Sequence, residues 1–373
     1  MHQLAEKLYR GENLSFDESR ALFNEILSGS LDPCLIASVL TAMKMNGETP
    51  DEISGAALTL LDKALAFPRP DYSFCEIVGT GGDGAHSINI STTSAFVAAE
   101  LGVPVAKHGN RSVSSKTGAA DLLESCGVNL RMSPETARKC LDELHVTFFF
   151  AQLYHSAMKY VGPVRKAMGT RTIFNILGPL INPAHEDFIL LGVYDPKLCA
   201  VLARTLMKIG IRKALGINGS GLDEVSISDT TYVAELHEDR SITEYRITPE
   251  DFGLKRYDQM EIEGGEPEEN RAITERILSG KGTYGMTHGQ RDEKVMMESD
   301  VYIASHMDGN KIKSMKLPEG SLIVAVQRDQ QEIVPRGDTR LAGGDKLTIL
   351  CRQGDMEEVD RILEAMCRRE CKR

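Results

Sequence analysis

The sequence predicts an α/β fold with a small N-terminal helical domain and a small C-terminal α/β appendage. Helix-start signals recur in the first sixty-odd residues, and from about residue 73 short β-rich runs alternate with helical segments. Past residue 282 or so, the pattern changes again to closely spaced short strands. Alternation of strands and helices is typical of a mostly parallel sheet covered by helices. We expect domains at residues 1–68, 69–285 and 295–367.

The first region contains clear helix starts. A capping box begins at Ser15, Asp32 precedes a proline at the first helical position, and Thr49 combines both devices. Apolar residues recur at helical spacing behind each start. Residues 67–70, which include two prolines, then break the pattern. The sequence therefore predicts short amphipathic helices followed by a hinge.

The second region contains the predicted parallel strands. They lie at residues 75–78, 103–106, 146–150, 188–193 and 214–218. Because ligands gather at the carboxyl ends of parallel strands, the polar segments that follow these strands should meet at one crevice. Those segments are residues 79–83, 107–111 and 219–224.

A glycine-rich run at residues 79–83 follows the apolar pair Ile77 and Val78 and precedes a helix-like segment that opens at Asn89. Glycines allow positive φ and bring backbone N–H groups close to a ligand, and a helix N-terminus adds unpaired donors. Such a loop alone is common in α/β proteins that bind nothing there. The polar clusters at residues 107–111 and 114–118 make a phosphate-binding site the better interpretation.

Composition limits the possible functions. The 373 residues include 43 Lys and Arg against 54 Asp and Glu, for a formal charge of −11, which disfavours broad nucleic-acid binding. The eight cysteines form no Cys-x-x-Cys pair, so reduced thiols are expected rather than disulfides or zinc. No apolar run is long enough for a membrane span, and the N-terminus lacks a signal-peptide pattern. We expect a cytoplasmic enzyme without nucleic-acid or membrane partners.

Four motifs together resemble the signature set of the anthranilate phosphoribosyltransferase family. They lie at residues 79–83, 89–92, 107–111 and 171–180, in the family's order and spacing, and the resemblance runs from about residue 5 to about residue 283. It implies a fold of the nucleoside phosphorylase/phosphoribosyltransferase type and a homodimer. It also implies a glycosyltransferase that moves a pentosyl group. The 5-phosphoribosyl group of phosphoribosyl pyrophosphate passes to anthranilate, giving N-(5-phosphoribosyl)anthranilate and pyrophosphate in tryptophan biosynthesis.

The resemblance also implies donor-binding residues. No covalent nucleophile is expected, because the enzyme mainly has to neutralise the leaving pyrophosphate and hold the amine in line. Where Ala119 stands the family often has serine, so a hydroxyl contact would be lost. The residues expected to bind phosphoribosyl pyrophosphate are Gly79, Gly82, Asp83, Ser87, Asn89, Ile90, Ser91, Thr92, Lys107, His108, Gly109, Asn110, Arg111, Ser112, Val113, Ser114, Ser115 and Ala119.

For the acceptor, Arg165 matches the family's carboxylate-binding arginine, and its expected companions are Gly79, His108 and Asn110. His155 falls near the same channel, but a histidine beginning a helix is equally often a cap or a packed core group. A flat aromatic carboxylate needs a fixed cation and polar anchors beside an apolar wall.

For the metal, Asp223 and Glu224 match the family's acid pair, which the resemblance makes ligands of Mg²⁺ through the pyrophosphate. The Ser91 hydroxyl is expected on a second Mg²⁺ ion. Hard cations of this kind prefer oxygen ligands from one or two carboxylates together with phosphates. Adjacent acids after a Gly-Ser-Gly turn are, taken alone, usually only a solvated loop.

The third region departs from this family. It resembles the TrkA-C type of C-terminal ligand-binding module found in potassium-uptake regulators and related transporters, over residues 295–367. That resemblance implies a small ligand, which the sequence does not identify. An unrelated β-rich appendage is the alternative.

Other functions are possible on the same motifs. A nucleoside phosphorylase shares the fold, but its loop and lysine-serine signatures differ from residues 107–111. A regulatory, ligand-sensing fusion protein in which the C-terminal module is the working part is a further alternative. A catalytically silent nucleic-acid-binding protein should show a basic stripe and eroded donor motifs, and neither is present.

Overall fold

The computed structural model of the chain describes residues 1–112, 116–279, 294–318, 320–329, 331–352 and 355–368. The chain divides into two units, each considered by itself below. The first consists of Met1–Val225, Thr231–Arg246 and Ile262–Thr274, and the second of Ser226–Thr230, Ile247–Glu261 and Glu275–Arg373.

The first unit begins with a helical bundle whose starts agree with the predicted caps. The Ser15 hydroxyl accepts the Glu18 N–H, Asp32 accepts the Cys34 N–H, and Thr49 forms a capping box with Glu52. The apolar faces of these helices form the bundle's core, where side chains such as Phe23 and Met43 are fully buried. The helices are α1 (His2–Tyr9), α2 (Phe16–Ser28), α3 (Pro33–Asn46) and α4 (Pro50–Asp62).

The same unit contains a seven-stranded sheet in the order β3-β2-β1-β4-β5-β6-β7. Strands β1 to β5 pair in parallel, whereas β6 is antiparallel to β5. The predicted mostly parallel α/β sheet is therefore confirmed. The strands are β1 (Cys75–Gly79), β2 (Val105–Gly109), β3 (Val146–Phe150), β4 (Phe188–Gly192), β5 (Lys213–Asn218), β6 (Thr231–Leu236) and β7 (Ile242–Ile247).

Two details of the sheet differ from the sequence prediction. Strand β2 begins at Val105 rather than Val103, because Pro104 has no N–H to donate to a ladder and contributes only its carbonyl, to Cys75 N–H. Strands β6 and β7 were not predicted at all. The helices that follow α4 are α5 (Ile90–Glu100), α6 (Ala119–Ser125), α7 (Pro134–Leu144), α8 (Ala151–Tyr154), α9 (Gly162–Met168), α10 (Phe174–Leu177), α11 (Pro196–Ile209) and α12 (Pro267–Leu278).

The second unit contains an antiparallel four-stranded sheet in the order β10-β9-β11-β8. It has its own apolar core, in which Val326, Leu347 and Leu363 are fully buried. Among the described residues, no helix is long and apolar enough to cross a bilayer. The elements are β8 (Lys294–Asp300), β9 (Leu322–Arg328), β10 (Gln331–Ile333), β11 (Lys346–Arg352) and α13 (Met356–Leu363).

Candidate active site

A crevice opens at the carboxyl ends of β1, β2, β4 and β5, as expected for a doubly wound sheet. It consists of a cavity of about 970 Å³ and an adjoining one of about 130 Å³. The described residues predicted to form the site line one or both: Gly79, Gly82, Asp83, Ser87, Asn89, Ile90, Ser91, Thr92, Lys107, His108, Gly109, Asn110, Arg111, Ser112, Ala119, His155, Arg165, Asp223 and Glu224. Val113, Ser114 and Ser115 lie outside the described residues.

The glycine-rich loop adopts a conformation that only glycines accommodate well. Gly81 and Gly82 have φ of +69° and +77°, in the left-handed region. The Gly81 N–H donates to Asp223 Oδ2 at 2.5 Å. A side chain on Gly79 or Gly192 would overlap Asp223. The loop and the acid are therefore packed against each other, and residue size at these glycines is fixed by that contact.

Helix α5 begins at the crevice behind this loop. Its N-cap residue Asn89 does not cap the helix with its side chain, but donates to the Thr117 carbonyl at 3.1 Å and accepts from Asn270 at 3.0 Å. Ser91 and Thr92 lie in the first turn, and the buried Thr92 hydroxyl has no hydrogen-bond partner among the described residues. A hydroxyl without a partner at a helix N-terminus suits an anion.

Lys107 is a buried cation between the loop and helix α5. Its Nζ donates to the Ile77 carbonyl at 2.6 Å and to Ser91 Oγ at 3.2 Å. Burial lowers the pKa of Lys107, while the charges of Glu76, Glu224 and Asp223 act in the opposite direction. Lys107 is not a solvated surface cation, because only 3% of it is exposed.

Asp223 and Glu224 form a crowded acidic pair rather than a solvated loop. Burial, followed by the neighbouring charge of Asp83, raises the pKa of Asp223 to about 6, and burial together with the charge of Asp223 raises the pKa of Glu224 to about 8. The Asp223 N–H also donates to Asp83 Oδ2 at 3.4 Å. Neither acid forms an ion pair with another described residue, so a bound cation would favour the ionised form of both.

These carboxylates fit a magnesium ion that is shared with a substrate. Among the described residues, no group of at least three His, Cys, Asp or Glu side chains is arranged to hold a metal by itself. Mg²⁺ usually takes only one or two protein carboxylates and fills its remaining positions with phosphate oxygens and water. Two carboxylates beside the glycine-rich loop, where a phosphate can supply further oxygen ligands, are the donors that such an ion needs.

The opposite side of the cavity combines an arginine with aromatic and apolar groups. The Arg165 guanidinium lies 5.5 Å from the ring centroid of Phe174, and it has no carboxylate partner among the described residues. Burial lowers its pKa. Leu60 of α4 and Met158 line the same cavity. A partly buried, unpaired cation beside an apolar wall suits an aromatic carboxylate.

Two histidines lie between these sides. His108 Nδ1 is 3.1 Å from the Gly178 carbonyl, and its ring meets that of His155 edge to face at 5.1 Å. Burial lowers the pKa of His108 to about 3 and that of His155 to about 4, so both rings are neutral at physiological pH. His155 makes no side-chain cap to the following turn; it is a packed residue that also lines the cavity.

Arg111 lines the crevice, but its charge is paired with acids of the fold. Its guanidinium forms ion pairs with Asp121 at 2.9 Å and Glu124 at 2.7 Å and lies 5.7 Å from the Phe150 ring centroid. Asp121 also accepts the Ser112 N–H at 2.9 Å, which fixes the start of this loop. The sequence prediction identified the segment but not the direction of the arginine side chain.

Sequence reasoning missed three residues that hold the glycine-rich loop. Arg171 donates to the Gly82 carbonyl, and its guanidinium lies 4.1 Å from the centroid of the Tyr194 ring. The Tyr194 N–H donates to Thr80 Oγ1 at 3.1 Å. Two of the three lay in recognised motifs, at residues 79–83 and 171–180, whereas nothing in the sequence marked Tyr194.

Family models match almost the whole described chain. Residues 71–314 match the model of the glycosyl transferase family, a/b domain, and residues 2–64 match that of the glycosyl transferase family, helical bundle domain. Residues 296–364 match the TrkA-C domain, which confirms the resemblance seen in the C-terminal sequence.

Individual relatives are similar over about three quarters of the chain. An anthranilate phosphoribosyltransferase of Tolumonas auensis is 57% identical over 278 residues, which are 74% of this chain and 82% of the relative. A crystal structure of anthranilate phosphoribosyltransferase from Thermus thermophilus aligns with a TM-score of 0.71 and 40% identity, covering 75% of this chain and 83% of that one. The Saccharomyces cerevisiae enzyme in complex with PRPP and Mg aligns with a TM-score of 0.69 and 29% identity, covering 75% and 81%.

Proposed function

The chain belongs to the anthranilate phosphoribosyltransferase family, and from this premise we propose that its crevice transfers the 5-phosphoribosyl group of phosphoribosyl pyrophosphate to the amine of anthranilate. The products are N-(5-phosphoribosyl)anthranilate and pyrophosphate. The proposal rests on one observation: the glycine-rich loop, the two acids Asp223 and Glu224, and Arg165 all line one cavity.

The donor's pyrophosphate binds at the glycine-rich loop and the start of α5. Its oxygens accept hydrogen bonds from the backbone N–H groups of Gly82 and Asp83 and from the hydroxyls of Ser91 and Thr92. Lys107, which is hydrogen-bonded to Ser91, supplies a positive charge. As the bond from the ribose carbon to pyrophosphate breaks, negative charge grows on the leaving group. Preorganised donors at that position lower the barrier because they need no rearrangement.

Asp223 and Glu224 hold Mg²⁺ against the pyrophosphate, and Ser91 contributes a hydroxyl to a second ion. When bound, magnesium neutralises charge on the leaving group. Burial, followed by the crowding of acidic side chains, raises the pKa values of Asp223 and Glu224, and a cluster of buried acids supports a cation site here. The yeast relative in complex with PRPP and Mg supports the choice of metal, and the number of ions stays a prediction.

Anthranilate binds on the opposite side, with its carboxylate on the Arg165 guanidinium and its ring against the apolar wall that includes Leu60. Asn110 and the neutral rings of His108 and His155 complete the contacts. Each neutral ring has one nitrogen that can accept a hydrogen bond, so these rings can orient the N–H groups of the amine. The chain's part in catalysis is then to hold this amine in line with the ribose carbon.

A direct assay tests the proposal. Purified full-length protein with Mg²⁺, phosphoribosyl pyrophosphate and anthranilate should consume the fluorescence of anthranilate, and a mixture without donor should not. Absence of turnover by folded protein would remove the enzymatic interpretation. A parallel assay with inorganic phosphate and pyrimidine nucleosides tests the nucleoside phosphorylase alternative, for which we expect no product.

We also propose a homodimer formed through the helical bundle. The exposed apolar side chains Tyr9 on α1 and Met45 on α3, 48% and 81% accessible, support an interface on this face. Light scattering on the purified chain tests the assembly, and a monomer at micromolar concentration would contradict it. A small ligand for the TrkA-C module remains a prediction without an identified chemistry.

A further inference from the structure

The hydrogen-bonded ladder between β1 and β2 ends early. All five residues of β1 pair with β4, and all five of β2 pair with β3. Between β1 and β2, however, only Cys75 and Val105 are in register. The two strands part beyond this pair, directly under the crevice, and the backbone groups that face each other across the gap need other partners.

A buried glutamate and an asparagine supply two of those partners. Glu76 Oε1 accepts the His108 N–H at 2.6 Å. Asn182 Nδ2 donates both to Glu76 Oε2 and to the Ala106 carbonyl, each at 2.7 Å. Because Asn182 Oδ1 accepts the Ala184 N–H at 2.9 Å, the amide can present only its NH₂ group to the glutamate. Side chains thus replace the ladder on the β2 side of the gap.

The gap on the β1 side is filled by the donor-site lysine. Lys107 Nζ donates to the Ile77 carbonyl at 2.6 Å, in the place of a ladder bond from β2. Glu76 itself is completely buried, which raises its pKa to about 7, whereas the donors to both of its oxygens and the charge of Lys107 favour the carboxylate form. A buried carboxylate held by a main-chain N–H and an amide is costly unless those contacts are kept.

We propose that Glu76 is a positioning residue whose carboxylate holds β1 and β2 apart and so sets the floor of the crevice. The strand end that it fixes carries His108, Gly109 and Asn110, which line both the donor and the acceptor side of the cavity. Loss of the carboxylate contact therefore disturbs both substrates rather than one. The inference rests on the proposed function for its kinetic test, but its evidence is the interrupted ladder.

The test compares Glu76→Gln with Glu186→Gln. Glu186 is a second buried acid whose pKa is raised by burial and then by the charge of the nearby Glu76, but it does not line the crevice. At position 76 the amide would bring an N–H group against the His108 N–H or the Asn182 amide. Glu76→Gln thus loses one hydrogen bond at a buried site, and because the strand end that this bond holds lines the cavity, we expect a rise in KM of about tenfold for both substrates. We expect kcat to change by less than about threefold, and Glu186→Gln to keep both KM values.

The outcomes are distinct. No turnover by the wild-type protein removes the proposed function and leaves the ladder observation to be tested by direct binding of both substrates to the same variants. With an active wild type, unchanged KM values in folded Glu76→Gln overturn the inference, as does a rise for one substrate only. If Glu76→Gln does not fold, Asn182→Ala decides: it keeps the charge but removes both amide contacts. We expect it to raise both KM values, and unchanged values overturn the proposal.

Discussion

Buried carboxylates serve opposite purposes in the crevice and in the C-terminal sheet. Asp345 is fully buried, but it accepts from Arg328 Nε at 2.6 Å, from a second Arg328 nitrogen at 2.7 Å and from the Ala342 N–H at 2.8 Å. Asp223 and Glu224 are also withdrawn from water, but neither forms an ion pair with another described residue, and the nearby Lys107 donates its hydrogen bonds to the Ile77 carbonyl and Ser91 instead. A buried carboxylate that is paired with a cation of the fold has a structural role, whereas a buried carboxylate without an ion-pair partner indicates where a ligand binds.

The arginines follow the same division. Arg328 is paired with an acid, and its pKa is raised by the hydrogen bonds to Asp345. Arg165 contacts an aromatic ring and forms no ion pair with any residue that the structure describes, and burial lowers its pKa. Among the described residues, the crevice thus has Arg165 without an ion-pair partner on one side, and Asp223 and Glu224 without one on the other.

The largest effect on activity is expected from Asp223→Asn. If the acid pair binds metal and pyrophosphate, its loss should lower kcat/KM at least about 100-fold, or about 2.7 kcal/mol of transition-state stabilisation. Steady-state anthranilate consumption at saturating Mg²⁺ measures this. The same substitution should not lower the unfolding midpoint of metal-free protein, because it removes a carboxylate that is crowded by Asp83 and Glu224. A stability loss with full activity would reverse the assignment.

The reciprocal change is Arg328→Met in the C-terminal sheet. Leaving Asp345 buried without its cation should cost about 2 kcal/mol of folding free energy, at the low side of the range for buried pairs because the Arg328 side chain is 35% exposed. Urea unfolding measures the loss. Lys346→Met is the matched control, since it removes an exposed ion pair with Glu298 and should change stability by less than about 0.5 kcal/mol. Equal effects of the two substitutions would contradict a structural role for the buried pair.

A smaller effect is expected from Arg165→Ala. Removal of a single partly buried contact to the anthranilate carboxylate should raise the KM for anthranilate about tenfold, while the KM for phosphoribosyl pyrophosphate stays within about twofold. Lys166→Ala is the control, because Lys166 lines the same cavity on the same helix. A parallel rise in both KM values for Arg165→Ala would mean that the acceptor role is misassigned.

The smallest expected effect concerns pH. The folded-state pKa values of Asp223 and Glu224 lie above their ordinary values, so ionisation disfavours the fold, and stability should be lost as pH rises from about 5 to about 8. The unfolding midpoint of metal-free wild type should fall relative to Asp223→Asn across that window, by a few degrees. A constant difference between the two proteins from pH 5 to 8 would contradict the raised pKa values.

Sequence patterns identified the fold where the signals were local. Ser15, Asp32 and Thr49 gave the helix starts, and apolar runs between polar clusters gave β1 and β3 to β5 within a residue or so. Strands β6 and β7 went unpredicted, although residues 231–233 are Thr, Tyr and Val, which favour strands. Their sheet neighbours lie elsewhere in the chain, and pairing supplies what the local pattern lacks.

The site was predictable as a set of motifs but not as a network. Resemblance brought Lys107, Arg165 and Asp223 to one crevice, and the described geometry agrees with that grouping. Glu76 had only a weak signal, an acid within the apolar run of β1. Its contact with Asn182, 106 residues away, depends on how far β1 and β2 separate, and no local pattern encodes this distance.

The most direct test of the central claim is calorimetric titration of phosphoribosyl pyrophosphate into the full-length protein with and without Mg²⁺. If Asp223 and Glu224 bind the pyrophosphate through the metal, affinity should weaken at least about tenfold when magnesium is chelated, and Asp223→Asn should show the weak affinity in both conditions. Equal affinity of the wild-type protein with and without Mg²⁺ would contradict the proposed role of the acid pair.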